Sequence, residues 1–347
     1  MLKPNGIRNP LLTDRTNAHR PRHSTRAALL ALAILTLASV ATATYASAGV
    51  ASKPLAQLAQ AVADGERNDP LPATTTPTVE YALRDHVNLG RCSAFQQLRS
   101  AICNYGDPSG TKTVVVFGNS HSAMWVPALA VAAKADHWKL YPVVKESCGY
   151  DTYTDVVPGL DPGNACSSWY DWAKTVIARL HPNVLMMGSY TFTTYWALGE
   201  RLVISQLKPL TKRFILLSDS PWIPAPSGCF LHLNATQGTC LRHESPMRIA
   251  VQVQTHEIAN YLHVQYLDIT PLLCDDGRCP SVIDGIIPTA DGSHVTPQYS
   301  TFVALALDNG VNLTGSRTIP IVSVPVPVQV PVSVSATVPT TVPTTVP

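Results

Sequence analysis

Five short apolar runs rich in β-branched residues alternate with stretches of helical length along the middle of the chain. This alternation is the strongest constraint on the fold, because strands separated by helices form parallel sheets with helices on both faces. It predicts strands at 113–117, 139–144, 184–188, 214–218 and 264–267. It predicts helices at 124–136, 167–180, 195–207, 245–262 and 297–307. We therefore predict an α/β fold with a central parallel sheet.

The N-terminus carries an export signal. Residues 27–52 contain no charged side chain, and spanning a bilayer takes about 20 predominantly apolar residues. Six basic residues and a single acid, Asp14, precede this run, so the positive-inside rule keeps residues 1–26 in the cytoplasm and exports the rest. A cleaved signal peptide is the alternative, since Ala46-Ser47-Ala48 resembles a cleavage site. Both alternatives place the main domain outside the cytoplasm.

Composition supports an exported globular domain. The chain of 347 residues has a formal net charge of +2, and without a large basic patch we expect no nucleic-acid partner. Its eight cysteines form four pairs of near neighbours, and an even count in an exported chain favours disulfides. Zinc is the alternative, but only Cys274 and Cys279 approach the spacing of a zinc site.

The composition changes again near the C-terminus, where prolines separate valines and threonines. Proline at this density cannot enter a sheet interior, which predicts an extended tail. We expect five regions in all. They are a basic cytoplasmic tail at 1–26, an anchor or signal peptide at 27–52, an N-terminal appendage at 53–110, the α/β domain at 111–316 and a disordered tail at 317–347.

One serine stands where catalytic residues often lie in α/β folds. The run Val114–Phe117 ends at Gly118, and Ser120 then opens a helical stretch. Ligands bind at the carboxyl ends of parallel strands, and a helix N-terminus there favours negative charge. The alternative is an ordinary glycine-serine turn, which many parallel-sheet proteins contain.

A second polar cluster precedes the last predicted helix. Asp291 and His294 lie three residues apart, so the carboxylate can orient the imidazole, which can then accept a proton from a serine. A serine nucleophile needs such a base. The alternative is a helix cap with an incidental histidine. The chain order Ser…Asp…His, together with Gly118-x-Ser120, favours catalysis.

These motifs resemble the SGNH (GDSL-type) hydrolases, in particular the extracytoplasmic SGNH domains fused to membrane O-acyltransferases of acyltransferase family three. The resemblance covers roughly residues 54–308. It rests on the following residues in order: Asp85, Cys92, Gly118-Asn119-Ser120-His121-Ser122, Trp125-x-Pro127-Ala128-Leu129, Cys148, Asp219-Ser220-Pro221, Asp268-x-x-Pro271-x-x-Cys274, Cys279 and Asp291-x-x-His294-Val295-Thr296.

The resemblance implies a three-layer, flavodoxin-like α/β/α fold and a serine triad. Ser120 would be the nucleophile, His294 the base and Asp291 its orienting acid. The Ser120 backbone N–H and Gly149 would donate to the oxyanion.

Two residues depart from the family pattern. Asn119 stands where the family usually has aspartate, and because the two are nearly isosteric we expect a small effect. The third family block usually supplies an asparagine to the oxyanion, whereas this strand end reads Gly188-Ser189-Tyr190. A missing oxyanion donor can lower the rate by about 10²–10³, so Ser189 or Tyr190 would have to substitute.

We therefore expect an extracytoplasmic serine esterase or O-acyltransferase that acts on acyl esters, such as acetyl esters, of cell-envelope glycans. The expected partners are an acylated envelope polysaccharide or other glycan, the membrane through residues 27–52, and a separate membrane acyltransferase. No cofactor and no metal is expected. The alternative is a catalytically weakened SGNH domain that binds glycan or acts as a scaffold for a membrane acyltransferase.

Overall fold

The computed structural model describes residues 51–313, except 155–158, 160, 162, 164, 191–194 and 224–226. Among these residues no helix has both the length and the apolar character needed to cross a membrane. Residues 27–50 of the predicted segment 27–52, the basic residues 1–26 and the tail 317–347 lie outside the described part of the chain, so the predictions made for them stay predictions.

A five-stranded parallel sheet forms the centre of the domain, with strand order β2-β1-β3-β4-β6. Its strands are β1 (Lys112–Gly118), β2 (Trp138–Val144), β3 (Val184–Gly188), β4 (Arg213–Leu217) and β6 (Gln265–Leu267). Two short strands, β5 (Arg242–His243) and β7 (Arg278–Cys279), pair antiparallel away from it. The prediction of a central parallel sheet is confirmed.

Helices cover both faces of the sheet and complete a three-layer architecture. The long helices are α1 (Leu55–Gly65), α4 (Val126–Ala135), α6 (Ala165–Leu180), α7 (Trp196–Leu207), α9 (Pro246–Tyr261) and α11 (Ala304–Val311). The short ones are α2 (Val79–Ala82), α3 (Ser120–Ala123), α5 (Tyr150–Tyr153), α8 (Ser227–Phe230) and α10 (Pro297–Phe302).

The pleat of β1 divides the interior into two cores. Val114 and Val116 belong to the core that contains the buried residues of α1, α4, α10 and α11. Val115 and Phe117 belong to the core that contains those of α6, α7 and α9. Successive strand residues point to opposite faces, so a strand buried on both faces must be apolar throughout. This requirement explains the unbroken apolar run in β1.

The strand order places β1 at the topological switch point of the sheet. The connection after β1 leads to β2 on one side of it, and the connection after β2 passes β1 to reach β3 on its other side. Open α/β sheets bind their ligands outside the carboxyl ends of the strands at this point. Ser120, two residues beyond the end of β1, lies there.

Two predicted helices are each divided in the structure, whereas the bounds of the other three differ from the prediction by at most two residues. The helix predicted at 124–136 begins earlier, because Asn119 caps α3 at Ser120, and it is interrupted before α4 begins at Val126. The last predicted helix is likewise divided at Val303, and its second part extends to Val311. Residues of the predicted appendage, including Leu58 and Val62 of α1, are buried in the same core as α4.

All eight cysteines are joined in disulfides, which confirms the disulfide prediction. The pairs are Cys92–Cys103, Cys148–Cys166, Cys229–Cys240 and Cys274–Cys279. Each bond joins two cysteines that are nearest neighbours among the cysteines of the sequence. Disulfides are typical of proteins that fold in an oxidising compartment.

Candidate active site

Ser120 lies at the first position of a helix that begins directly after a strand. Strand β1 ends at Gly118, where φ is +142° and an added Cβ would collide with the carbonyl oxygen of Gly188. Asn119 then caps α3, because its Oδ1 accepts the backbone N–H of His121 at 3.0 Å. The first N–H groups of a helix have no partner within the helix. This turn therefore presents the Ser120 hydroxyl beside backbone donors.

The Asp291–His294 turn brings an imidazole to that hydroxyl. Nε2 of His294 lies 2.9 Å from Oγ of Ser120, and Nδ1 of His294 lies 2.7 Å from Oδ2 of Asp291. The other oxygen of Asp291 accepts the backbone N–H groups of Ser293 at 3.0 Å and His294 at 2.9 Å. The structure thus brings the three residues predicted for a triad into one continuous hydrogen-bonded chain.

Asp291 is held in its charged form. Burial alone would raise the pKa of Asp291, but the hydrogen bonds from His294 and Ser293 outweigh it and keep the pKa well below its ordinary value. A charged carboxylate accepts the Nδ1 proton of His294, so Nε2 faces Ser120 as an acceptor. In this tautomer His294 can take the hydroxyl proton.

Asn119 uses both ends of its amide to hold the turn. Nδ2 donates to the Cys148 carbonyl at 3.1 Å and to the Ser189 hydroxyl at 2.9 Å. Oδ1 also accepts the backbone N–H of Tyr190 at 3.3 Å. An aspartate has no N–H and could not donate to the Cys148 carbonyl. An ionised aspartate at this position would therefore leave the Cys148 carbonyl without this donor.

A buried charged cluster, which the sequence analysis missed, lies behind the nucleophile. Nδ1 of His121 lies 2.6 Å from Oδ1 of Asp219, and Nη1 of Arg248 donates to Oδ2 of Asp219 at 2.8 Å. All three side chains are at most 3% exposed. Burial alone would raise the pKa of Asp219, but His121 and Arg248 together lower it to about 2. Asp219 could have been found from the sequence through its Asp-Ser-Pro motif. Arg248 could not, because nothing in the sequence distinguishes it from other charged residues on helices.

Comparison with known proteins decides the family. A family model described as "SGNH domain (fused to AT3 domains)" matches residues 91–309, which is more than half of the chain. The chain belongs to this SGNH family. No curated protein matches the sequence.

Solved structures of low sequence identity are also similar to this SGNH domain. The periplasmic domain of a lipopolysaccharide acetyltransferase from Salmonella ser. Paratyphi A is 14% identical, with a TM-score of 0.50 over 69% of this chain and 95% of that one. A catalytic mutant of an acetylxylan esterase from Geobacillus stearothermophilus is 12% identical, with a TM-score of 0.38 over 60% and 98%. The M. smegmatis aryl esterase is 16% identical, with a TM-score of 0.38 over 58% and 99%.

Three of the residues expected at the oxyanion hole of this SGNH domain, Gly149, Ser189 and Tyr190, have partners inside the protein. The backbone N–H of Gly149 donates to the Thr152 hydroxyl at 3.0 Å, where Gly149 caps α5. Ser189 is buried and bonded to Asn119. The ring of Tyr190 packs against the ring of His121 at a centroid distance of 4.8 Å.

One group of side chains near the SGNH site has a geometry that could hold a metal ion. Within the described residues, His86, Asp291 and His294 offer ligand atoms that lie within 4.8 Å of one another. The His86 ring meets the His294 ring edge-on at 5.1 Å. Because Asp291 and His294 already bind each other, a metal ion there would compete with the hydrogen bond that orients the imidazole.

Proposed function

We propose that this SGNH domain is a serine esterase or O-acyltransferase that acts on acyl esters, including acetyl esters, of cell-envelope glycans. The observation that carries the proposal is the hydrogen-bonded series Ser120–His294–Asp291. Nε2 of His294 lies 2.9 Å from Oγ of Ser120, and Nδ1 of His294 lies 2.7 Å from Oδ2 of Asp291. Such a chain activates a hydroxyl for attack on a carbonyl. Membership of the SGNH family supports the same class of acyl chemistry.

In the proposed mechanism, Oγ of Ser120 attacks the ester carbonyl while its proton passes to Nε2 of His294. The negative charge of Asp291 stabilises the imidazolium. The tetrahedral intermediate collapses when His294 returns the proton to the leaving alcohol, which leaves an acyl group on Ser120. Water or a sugar hydroxyl then attacks this acyl-enzyme, with His294 again as the base. Hydrolysis and transfer share every step except the choice of this acceptor.

The backbone N–H of Ser120, at the start of α3, is the first donor of the oxyanion hole in this proposal. Gly149 contributes a second N–H once its bond to the Thr152 hydroxyl, at 3.0 Å, is given up. Ser189 and Tyr190 follow β3 at the edge of the same site, and we assign to them, with Asn119, the shaping of the oxyanion side. Preorganised N–H donors stabilise charge that develops in the transition state.

The proposed glycan substrate and location draw on three observations. The family description names fusion to AT3 domains, and a protein of the same fold is a periplasmic domain of a lipopolysaccharide acetyltransferase. The four disulfides fit an oxidising compartment. We propose that residues 27–52 anchor the chain in the membrane or are removed as a signal peptide, with the SGNH domain outside. A separate membrane acyltransferase is the proposed source of acyl groups for transfer.

The test uses the purified full-length protein with p-nitrophenyl acetate as substrate. We expect hydrolysis that depends on Ser120, and labelling of Ser120 by a fluorophosphonate probe. Ser120→Ala removes the nucleophile and leaves the fold intact, so it is the control. Equal rates for wild type and Ser120→Ala would refute catalysis.

A second candidate function is a catalytically weakened SGNH domain that binds glycan or serves as a scaffold for a membrane acyltransferase. Two groups expected at the oxyanion hole favour it, because both are already hydrogen-bonded inside the protein. The Gly149 N–H donates to the Thr152 hydroxyl, and the Ser189 hydroxyl accepts from Nδ2 of Asn119. The fluorophosphonate probe separates the two candidates. A weakened domain would leave Ser120 unlabelled while still binding acylated envelope polysaccharide.

A further inference from the structure

A single loop contacts residues next to Ser120 and residues next to His294. We call residues 218–223, which follow β4, the β4 loop. Ser120 and His294 are 174 positions apart and lie on different elements. Their relative position therefore depends on what joins those elements in space, and the β4 loop touches the neighbours of both.

The first contact is with the residue that follows the nucleophile. Asp219 of the β4 loop binds Nδ1 of His121 at 2.6 Å, and His121 directly follows Ser120. The His121 ring also meets the His294 ring edge-on, with 4.6 Å between centroids. The buried His121 side chain therefore lies between the β4 loop and the ring of His294.

The second contact reaches the His294 turn. The Ser220 hydroxyl donates to the Ser293 carbonyl at 2.6 Å, and the Ile223 backbone N–H donates to the Gly292 carbonyl at 2.8 Å. Ser293 and Gly292 lie within the turn that joins Asp291 to His294. Displacement of the β4 loop would therefore displace the imidazole.

A buried arginine holds the loop itself in place. Besides its ion pair with Asp219, Arg248 donates from Nη2 to the Ser220 carbonyl at 2.6 Å. Buried ion pairs contribute little net stability, because desolvation offsets their attraction. A purely stabilising role is therefore a weak explanation for this pair, whereas a role in fixing geometry accounts for both of its contacts.

We infer that the β4 loop, held by Arg248, sets the distance and angle between Oγ of Ser120 and Nε2 of His294. His121, Asp219 and Ser220 are then positioning residues, which act through the triad and do not touch substrate. This inference rests on the proposed function. A misplacement of about 1 Å at reacting atoms can lower a rate by about 100-fold, so such a loop has a measurable effect.

The test compares two buried serines of the same loop in the full-length protein. Ser220→Ala removes the bond to the His294 turn. Ser218→Ala is the matched control, because the Ser218 hydroxyl bonds to Asp268 at 3.2 Å and accepts the Ile269 N–H at 2.9 Å, away from the triad. We expect Ser220→Ala to lower kcat for p-nitrophenyl acetate about tenfold with KM unchanged, and Ser218→Ala to change kcat by less than about twofold.

Crystal structures of both variants give a readout that does not depend on turnover. We expect the distance between Ser120 Oγ and His294 Nε2 to lengthen in Ser220→Ala and to stay near 2.9 Å in Ser218→Ala. An unchanged distance with unchanged kcat, equal losses in both variants, or a loss confined to KM would each overturn the inference. If wild type shows no esterase activity and no labelling, the proposed function fails, and the distances alone decide the role of the loop.

Asp219→Asn probes the ion pair with an isosteric side chain. It removes the charge that holds Arg248 and His121, and we expect a fall in kcat at least as large as that of Ser220→Ala, again with KM unchanged. Full activity in a folded Asp219→Asn protein would contradict a positioning role. If this variant does not fold, the two serine variants still decide the question.

Discussion

The Nε2 atom of His294 lies 2.9 Å from Oγ of Ser120, although 174 positions separate the two residues. The nucleophile depends on β1 and the start of α3, whereas the imidazole depends on a turn that precedes α10. No secondary structure element contains both residues, so their distance depends on contacts between different elements.

Asp291→Asn tests the orientation of the imidazole. The asparagine keeps the shape of the side chain but can present its N–H to Nδ1 of His294, which favours the tautomer that cannot accept the Ser120 proton. We expect kcat to fall about 10³–10⁴-fold, with a small change in KM. Steady-state kinetics with p-nitrophenyl acetate measure the effect, and circular dichroism checks the fold. A fall of less than tenfold would show that Asp291 is not needed for the base.

The low pKa of Asp219 predicts a dependence of stability on pH. The pKa lies at about 2 in the folded protein against an ordinary 3.8, so between these values the unfolded chain binds more protons and stability rises with pH. Ionised Asp219 thus stabilises the folded protein relative to its protonated form above about pH 4, and this difference is lost as pH falls toward 2. Urea unfolding at pH 5 and pH 3 measures it. We expect wild type to lose more stability than Asp219→Asn over this interval, and equal losses would contradict the assignment.

Asn119→Asp restores the usual family residue but removes a donor. The Nδ2 bond to the Cys148 carbonyl is lost, and a buried acceptor without a partner costs about 1–3 kcal/mol. Asn183→Asp is the matched control. Among the described residues the Asn183 side chain bonds through its Oδ1, which accepts the Thr113 N–H at 2.9 Å and which aspartate also provides. Chemical denaturation should show a loss in stability for the first variant and a change within about 0.5 kcal/mol for the second. Equal stabilities would show that the turn tolerates aspartate.

Gly118→Ala tests the turn that presents Ser120. At this position φ is +142°, and a methyl group would meet the Gly188 carbonyl and the Ser122 hydroxyl. We expect a loss of about 3 kcal/mol or more, or failure to fold. Gly228→Ala is the control, since a methyl group there has no atom within 4 Å. A Gly118→Ala protein as stable as Gly228→Ala would refute the steric argument.

The local patterns of the sequence were sufficient for the strands and for the candidate site residues. Strand β3 has the predicted bounds, because an uninterrupted apolar run between a proline and a polar turn can only be buried. Ser120, Asp291 and His294 were recognisable because each lies in a short motif whose chemistry depends on its immediate neighbours. The break between α3 and α4 was missed. It lies at Met124 and Trp125 and places Pro127 in the first turn of α4, where a helix tolerates proline.

The sequence by itself determined the parallel α/β fold, the disulfide-bonded character of the domain and the residue types at the site. Only the tertiary structure decided which groups surround Ser120. The pairing of His121 with Asp219 and Arg248 joins residues up to 127 positions apart, and the Gly149 N–H is occupied by the Thr152 hydroxyl. Periodicity reports which residues are buried, whereas the partner of a buried charge depends on how distant loops pack together.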